Sequence, residues 1–289
     1  MKIKPFPPIL ILLLVAFTSS YAQSYKFIYD FKWKSNKKSM EYNSELCALI
    51  TRDNQPSFFE SYENFRLDSL KTKIITDYSK NNRQGPLRLP SDEKKSVYRP
   101  LIIKNPVDKT ITVEEKAYVK LFSVTYNCPI KWVIKSDSNT ETILGYKAQK
   151  AVCEFGGRKW TAWFTNEIPI MDGPYKFSGL PGLILKIQDS EKNYIFEIKS
   201  ITKESNDIEH RNFGFSKAAS LSPKQWEKFW DSYRKQPSMV LENLNTEKTT
   251  YVINGKDVNS REVKDAFNKK EWEAMKFFED PIELTPTCN

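Results

Sequence analysis

The chain has 289 residues and carries 45 Lys and Arg against 36 Asp and Glu, a formal net charge of +9. Charges of both signs are interleaved, as in Asp92-Glu93-Lys94-Lys95 and Lys269-Lys270-Glu271, which reads as a solvated surface of mixed sign rather than a nucleic-acid-binding patch. A single histidine, His210, and four cysteines without a close pair (Cys47, Cys128, Cys153, Cys288) argue against a metal centre.

The N-terminus has the pattern of an export signal. Lys2 and Lys4 precede an unbroken apolar run from Ile9 to Phe17, and Ser20 and Ala22 put small residues before a cut at Gln23. That run is about half of the roughly 20 apolar residues a membrane-spanning helix needs. The expectation is a signal peptide over 1–22 and an exported product, periplasmic or extracellular. No cysteine lies near the cut to take a lipid, and no later segment is apolar enough to span a bilayer. Losing Lys2 and Lys4 lowers the charge from +9 to +7. In an exported protein this excess suits an anionic envelope surface better than nucleic acid. About 265 residues then remain, enough for one large domain or one domain with an extension.

Tyr25 to Trp33 alternates aromatic and mostly charged residues, which predicts a half-buried strand. Further strands are expected around Ser44–Arg52 and Ser57–Tyr62. A helix is expected over Asn64–Ser79, with Phe65, Leu67, Leu70, Ile74 and Ile75 near helical spacing. A Pro/Gly loop over 81–92 follows, then short strands at Val97–Ile103, Ile111–Glu115, Ala117–Tyr126 and Ile130–Ile134.

The segment 146–165 reads as a hairpin closed by Gly156-Gly157. In that register Phe155 faces Arg158, Cys153 faces Trp160, Ala151 faces Ala162 and Gln149 faces Phe164. The other face pairs Glu154 with Lys159, Val152 with Thr161 and Lys150 with Trp163. Cys153 then points into the core. Trp163 falls on the polar face, where so large an aromatic needs cover.

Leu183–Gln188 and Asn193–Thr202 read as another hairpin, turned by Asp189-Ser190-Glu191-Lys192. Beyond residue 205 the chain turns helical. Ser222-Pro223-Lys224-Gln225 is a capping signature, and Trp226, Phe229, Trp230 and Tyr233 form a stripe read as core packing. Asn254-Gly255 marks a small hairpin, and Arg261–Phe278 a last helix.

The most punctuated stretch is Gly173-Pro174-Tyr175-Lys176-Phe177-Ser178-Gly179-Leu180-Pro181-Gly182-Leu183-Ile184. Glycine and proline at this density specify one backbone path. One reading is a sharp corner that lets Leu183–Ile187 join the sheet. The other is a rigid lip, with Pro174, Phe177, Leu180 and Pro181 bordering a groove floored by Trp163, suited to a lipophilic ligand.

Gly179 to Ile184 spells the motif of the GLPGLI family, a Porphyromonas-type family of unknown function among secreted Bacteroidetes proteins. The resemblance extends through Ile143-Leu144-Gly145-Tyr146-Lys147, Trp160 to Thr165, Ile168-Pro169, Gly173-Pro174 and Phe177, covering roughly residues 25–202. It implies a secreted β-rich envelope protein without a catalytic motif. The run of hairpins is also similar in architecture to half-barrel lipoprotein carriers. Members often carry a cysteine after the Gly-Tyr-Lys segment. Here that place is Ala148, so a disulfide through it does not transfer. Four cysteines in an oxidising compartment allow three pairings. Because Cys128 and Cys153 both lie in the region of resemblance, the expected pair is Cys128–Cys153, leaving Cys47–Cys288.

These readings predict a mainly β protein with α additions, built on a curved antiparallel sheet, half-barrel-like in form, with helices packed on it. An antiparallel β domain would span 23–204, and an α-rich extension 205–289. No nucleophile elbow, phosphate loop or zinc-protease helix is present, and His210 sits in a polar connection. The functional expectation is non-catalytic binding of a lipophilic ligand or an envelope protein, without cofactor or metal. The alternative is a carboxylate-dependent hydrolase, with Asp172 and Glu167 as candidate acids.

Overall fold

The computed structural model describes residues 24–53, 55–81, 86–90, 96–127, 129–136, 140–204, 217–241, 251–253 and 256–285. The expected signal segment, His210, Cys128 and Cys288 lie outside them.

The strands are β1 (Ser24–Trp33), β2 (Asn43–Arg52), β3 (Ser57–Ser61), β4 (Leu101–Asn105), β5 (Thr110–Ala117), β6 (Lys120–Tyr126), β7 (Val133–Ile134), β8 (Thr140–Ile143), β9 (Tyr146–Phe155), β10 (Arg158–Thr165), β11 (Leu183–Asp189), β12 (Tyr194–Glu204), β13 (Ala219–Leu221), β14 (Tyr251–Ile253) and β15 (Lys256–Val258). The helices are α1 (Tyr62–Lys80), α2 (Pro223–Lys235) and α3 (Ser260–Met275), with 3-10 turns at Pro237–Leu241 and Lys276–Phe278.

Among the described residues the main sheet has 13 strands, in the order β13-β6-β5-β4-β3-β2-β1-β12-β11-β10-β9-β7, with β8 pairing β9 beside β7. Its ends do not meet, so the sheet is open rather than a barrel. All its pairings are antiparallel except β13 with β6. The fold is thus mainly β with α additions. The strands beside Asn254-Gly255 pair with each other as β14 and β15, the turn itself lying outside the described residues.

Period two sorts the faces. Phe27, Tyr29, Phe31 and Trp33 point to one side of β1 and are buried with Phe59, Phe164, Ile184, Tyr194 and Phe196 in the main core. On the other side Ile28, Ala48 and Ile50 form a second cluster, covered by Phe58, Tyr62 and Phe65. Helix α1 therefore packs on the face opposite the main core, beginning two residues before the predicted start.

The β9–β10 hairpin has the predicted register throughout, from Phe155↔Arg158 to Gln149↔Phe164. Gly156 and Gly157 take φ of +59° and +73°, as a two-residue hairpin turn requires. The capping box at Ser222 and Gln225 is formed.

Three strand expectations shift. The one at Val97–Ile103 begins only at Leu101, because Val97 and Tyr98 donate their amides to the Glu45 carboxylate at 2.9 and 3.0 Å instead of to a neighbouring strand. Ile130–Ile134 shrinks to β7, Val133–Ile134. Ala117–Tyr126 divides at Tyr118, whose left-handed φ of 57° turns β5 back into β6.

Candidate functional site

The Gly/Pro segment forms a corner. Gly182 passes so close to β10 that a Cβ there would sit 2.0 Å from the Thr165 carbonyl oxygen, and its φ is +157°. A Cβ on Gly173 would meet Ile184 at 2.8 Å. Leu183 then pairs with Thr165, and β11 enters the sheet. Tyr29 Oη donates to the Ile184 carbonyl at 2.7 Å, fixing the strand's start from inside the core.

The expected groove is not built this way. Phe177 and Leu180 are buried in the main core, Pro174 is buried as well, and only Pro181 of the four is exposed. The Phe177 ring lies 4.7 Å from Trp160 and 5.3 Å from Phe155, on the inner face. Trp163 occupies the alternate face, its ring flanked by Lys150 Nζ at 5.8 Å and Lys186 Nζ at 5.2 Å. Both lysines stand opposite it in the ladders. Trp163 is half-buried: it packs in part against the main core, and cross-strand lysine stems with their cation–π contacts cover it further.

The two candidate acids are not brought together. Asp172 is buried, pairs with Lys104 and accepts the Gly173 amide at 2.7 Å. Lys104 also donates to the Gly173 carbonyl, and burial pushes its ammonium below the usual lysine range while Asp172 opposes that shift. Glu167 is exposed and accepts the Lys147 amide at 2.9 Å.

Cys47 and Cys153 are buried free thiols, so neither expected disulfide is supported at these residues. Burial pushes both thiols up, Cys153 to about 12.

A concavity lies elsewhere, where the sheet, the C-terminal helices and the last described residues meet. It is a cleft of about 970 Å³. Phe31, Tyr98, Val113, Tyr126, Tyr175 and Tyr194 line it from the sheet side. Trp226, Trp230 and Tyr233 face it from α2, Trp272 and Met275 from α3, and Phe278 to Thr285 form its remaining wall. The α2 stripe packs as expected, Trp226 against the main core, Phe229 against Phe122 and Tyr233 buried, and Trp226, Trp230 and Tyr233 also line this cleft. Tyr233 alone of its aromatics is fully buried.

The last wall is a strap that crosses the β9–β10 turn. Arg158, buried in the hairpin, pairs with Asp189 at 3.0 Å and Asp280 at 2.8 Å. It also donates to the carbonyls of Ile282 and Pro281 at 3.1 and 2.8 Å. Leu284 donates its amide to the Gly156 carbonyl at 2.7 Å. A Cβ on Gly156 would lie 2.8 Å from Glu283 Cγ, so the turn glycine also makes room for the strap. Glu283 receives Tyr175 Oη and pairs with Lys176 at 2.6 Å. Lys176 in turn sits over the Tyr126 ring at 4.9 Å. Tyr175 holds a left-handed φ of 54°, a strained backbone fixed on both sides of the cleft wall.

Two carboxylates lie in this region, Glu115 in the cleft lining and Glu271 outside it. Glu271, buried on α3, accepts Arg99 at 2.8 Å and Tyr233 Oη at 3.1 Å. Glu115, half-buried on β5, is pushed up to about 7 by burial, with Glu271 adding to the rise while Arg99 and Arg234 oppose it. Two residues of the lining each bury, away from the open space, a donor without a hydrogen-bond partner among the described residues: Tyr98 Oη and Trp230 Nε1. Such donors carry a desolvation cost of about 1–3 kcal/mol each until they find an acceptor. No group of three or more His, Cys, Asp or Glu among the described residues is placed to hold a metal ion. No helix among them is long and apolar enough to cross a membrane.

Residues 156–186 match the sequence profile of a family described as a protein of unknown function (Porph_ging). This stretch runs from the Gly156-Gly157 turn through the Gly179–Ile184 corner. No curated protein matches the chain. Among solved structures it is similar to PNGF-II in a C2 crystal form, at 16% identity and a TM-score of 0.48, over 73% of this chain and 33% of that one. PNGF-II in a P21 form gives 17% identity and the same TM-score over 73% and 34% of the two chains. The chain thus spans about a third of those structures. At that level the likeness carries no functional argument.

Proposed function

We propose that the protein is a non-catalytic binding protein of the bacterial envelope, related to the GLPGLI family, and that its ligand seat is the aromatic cleft rather than a Trp163 groove. One observation carries this reading: the sheet, α2, α3 and the strap leave between them a cleft of about 970 Å³ walled by Phe31, Tyr126, Tyr175, Trp226, Trp230 and Trp272. A preformed aromatic concavity with a few convergent polar groups is the usual form of a small-ligand site. The volume suits a ligand of drug size or larger, and the aromatic walls suit its lipophilic faces. An envelope protein partner inserting a side chain or loop would use the same walls.

The alternative, a carboxylate-dependent hydrolase, draws on Glu115. With a carboxyl raised to about 7, Glu115 in the lining is an acid able to donate a proton, while Glu271, outside the lining, is engaged by Arg99 and Tyr233. Because Glu271 is fully occupied within the fold, binding is the better-supported reading. Titrating the protein with candidate ligands while following tryptophan emission from Trp226, Trp230 and Trp272 tests it. Saturable quenching lost in Trp230→Ala supports it, and quenching unaffected by that change refutes it.

A further inference from the structure

We infer that Tyr175 and Lys176 form a carboxylate seat in the cleft wall, filled in this structure by the protein's own Glu283, and that the ligand is an amphipathic monocarboxylate whose acid group takes Glu283's place while its apolar body lies on the aromatic walls. The inference rests on the cleft being where the ligand binds and names what occupies it.

The seat is built from buried groups. Tyr175 and Lys176 are each 6% exposed, yet both line the cleft, beside Tyr126 and Glu283. Lys176 Nζ stands 4.9 Å from the centre of the Tyr126 ring and 5.4 Å from that of Tyr175. Set among rings and shielded from water, its charge needs a carboxylate close by. Glu283 Oε1 supplies one at 2.6 Å, and the same oxygen accepts the Tyr175 hydroxyl. The left-handed φ of 54° at Tyr175 is a strained backbone of the kind that persists at ligand clamps, and the hydroxyl and ammonium of these two adjacent residues converge on one point.

Glu283 is the replaceable member. The strap that carries it is held by other groups: Arg158 donates to the carbonyls of Ile282 and Pro281, and the Leu284 amide donates to the Gly156 carbonyl at 2.7 Å. The Glu283 side chain can turn out while the strap's backbone stays in place. Its neighbours Leu284 and Thr285 are exposed, so a displaced carboxylate has solvent beside it.

That exchange decides the ligand's charge. One carboxylate for another leaves Lys176 paired and the charge of the cleft unchanged. A neutral ligand that displaced Glu283 would strand a buried ammonium. The rest of the ligand faces Phe31, Trp226, Trp230 and Trp272 across about 970 Å³, which calls for an apolar body.

Calorimetric titration of the whole protein with octanoate, indole-3-acetate and 1-octanol tests this, the two acids separating an acyl from an aromatic body. A seat filled about nine-tenths of the time binds an outside acid about tenfold more weakly than an empty one. Glu283→Ala should therefore bind at least one of the acids about tenfold or more tighter than the wild-type protein, with 1-octanol unchanged. Lys176→Met in the same background should abolish the gain. Glu283→Gln keeps the shape of the side chain without its charge and should shift the affinity the same way, which serves if Glu283→Ala does not fold. Equal acid affinity in the wild-type protein and the Glu283 variants, or a gain that survives Lys176→Met, would overturn the inference. If 1-octanol alone binds, the inference falls, and loss of that binding in Trp230→Ala keeps the cleft as the binding site. If no probe binds any of these proteins, the cleft reading falls along with it.

Discussion

Arg158 stands 2.8 Å from Asp280, an ion pair that ties the turn of the central hairpin to the C-terminal strap across nearly half the chain. The same guanidinium holds Asp189 at 3.0 Å, so one buried cation closes the β9–β10 turn, the β11–β12 turn and the cleft wall together. Arg158→Met removes it and leaves two buried carboxylates uncompensated. The expected loss is about 3–5 kcal/mol in urea unfolding. A loss under about 1 kcal/mol would mean that the strap does not depend on this pair.

Gly182 and Gly145 make a matched test of the corner. Both have positive φ, +157° and +83°, but a Cβ on Gly145 meets nothing within 4 Å while one on Gly182 would overlap the Thr165 carbonyl. Gly145→Ala should cost about 1–2 kcal/mol in backbone strain. Gly182→Ala should keep β11 out of the sheet and give no soluble folded protein. Equal behaviour of the two variants would count against the corner geometry.

Trp160 and Trp163 lie three residues apart on opposite faces. Trp160 is 1% exposed and packs on Phe177, so Trp160→Ala should cost about 3–5 kcal/mol. Trp163 is held by two lysines, and Trp163→Ala should cost about 1–2 kcal/mol. Thermal or denaturant unfolding of both variants checks the order, and a reversed ranking would contradict the face assignment.

Glu115 makes stability depend on pH. Its carboxyl is raised from 4.5 to about 7 in the folded state, so folding is favoured below 4.5 by comparison and loses that advantage as pH rises through 7. Wild-type protein should therefore lose on the order of 2–3 kcal/mol between pH 4.5 and 8 relative to Glu115→Gln, which has no proton to lose. Parallel slopes for the two proteins across that window would show that Glu115 is not buried among these partners.

Much of the fold was legible because local chemistry agreed with the tertiary outcome. The alternation at Tyr25–Trp33, the Gly156-Gly157 register and the Ser222–Gln225 capping box each specify their geometry within a few residues. Trp163 was legible as an anomaly, but its partners were not sought in the lysines directly across the ladder, Lys150 and Lys186. The parallel strand β13 and the strap from Glu279 to Thr285 carry no periodic pattern. They are held by Ser123 and by Arg158, contacts that join distant parts of the chain. The cleft went unread for the same reason. Its walls come from β1, β5, β6, β12, the segment before β4, the Gly/Pro corner, α2, α3 and the strap, and the α2 aromatic stripe looks alike whether it faces a core or a ligand.

The central claim is that the cleft between the sheet and the C-terminal helices is where this protein binds its ligand. Native mass spectrometry of the protein purified from the cells that make it, beside the Tyr98→Phe/Trp230→Ala double variant, tests it most directly. The account predicts an added mass on the wild-type protein that is absent or strongly reduced in the variant while both remain folded. An added mass retained equally by the two proteins would contradict it.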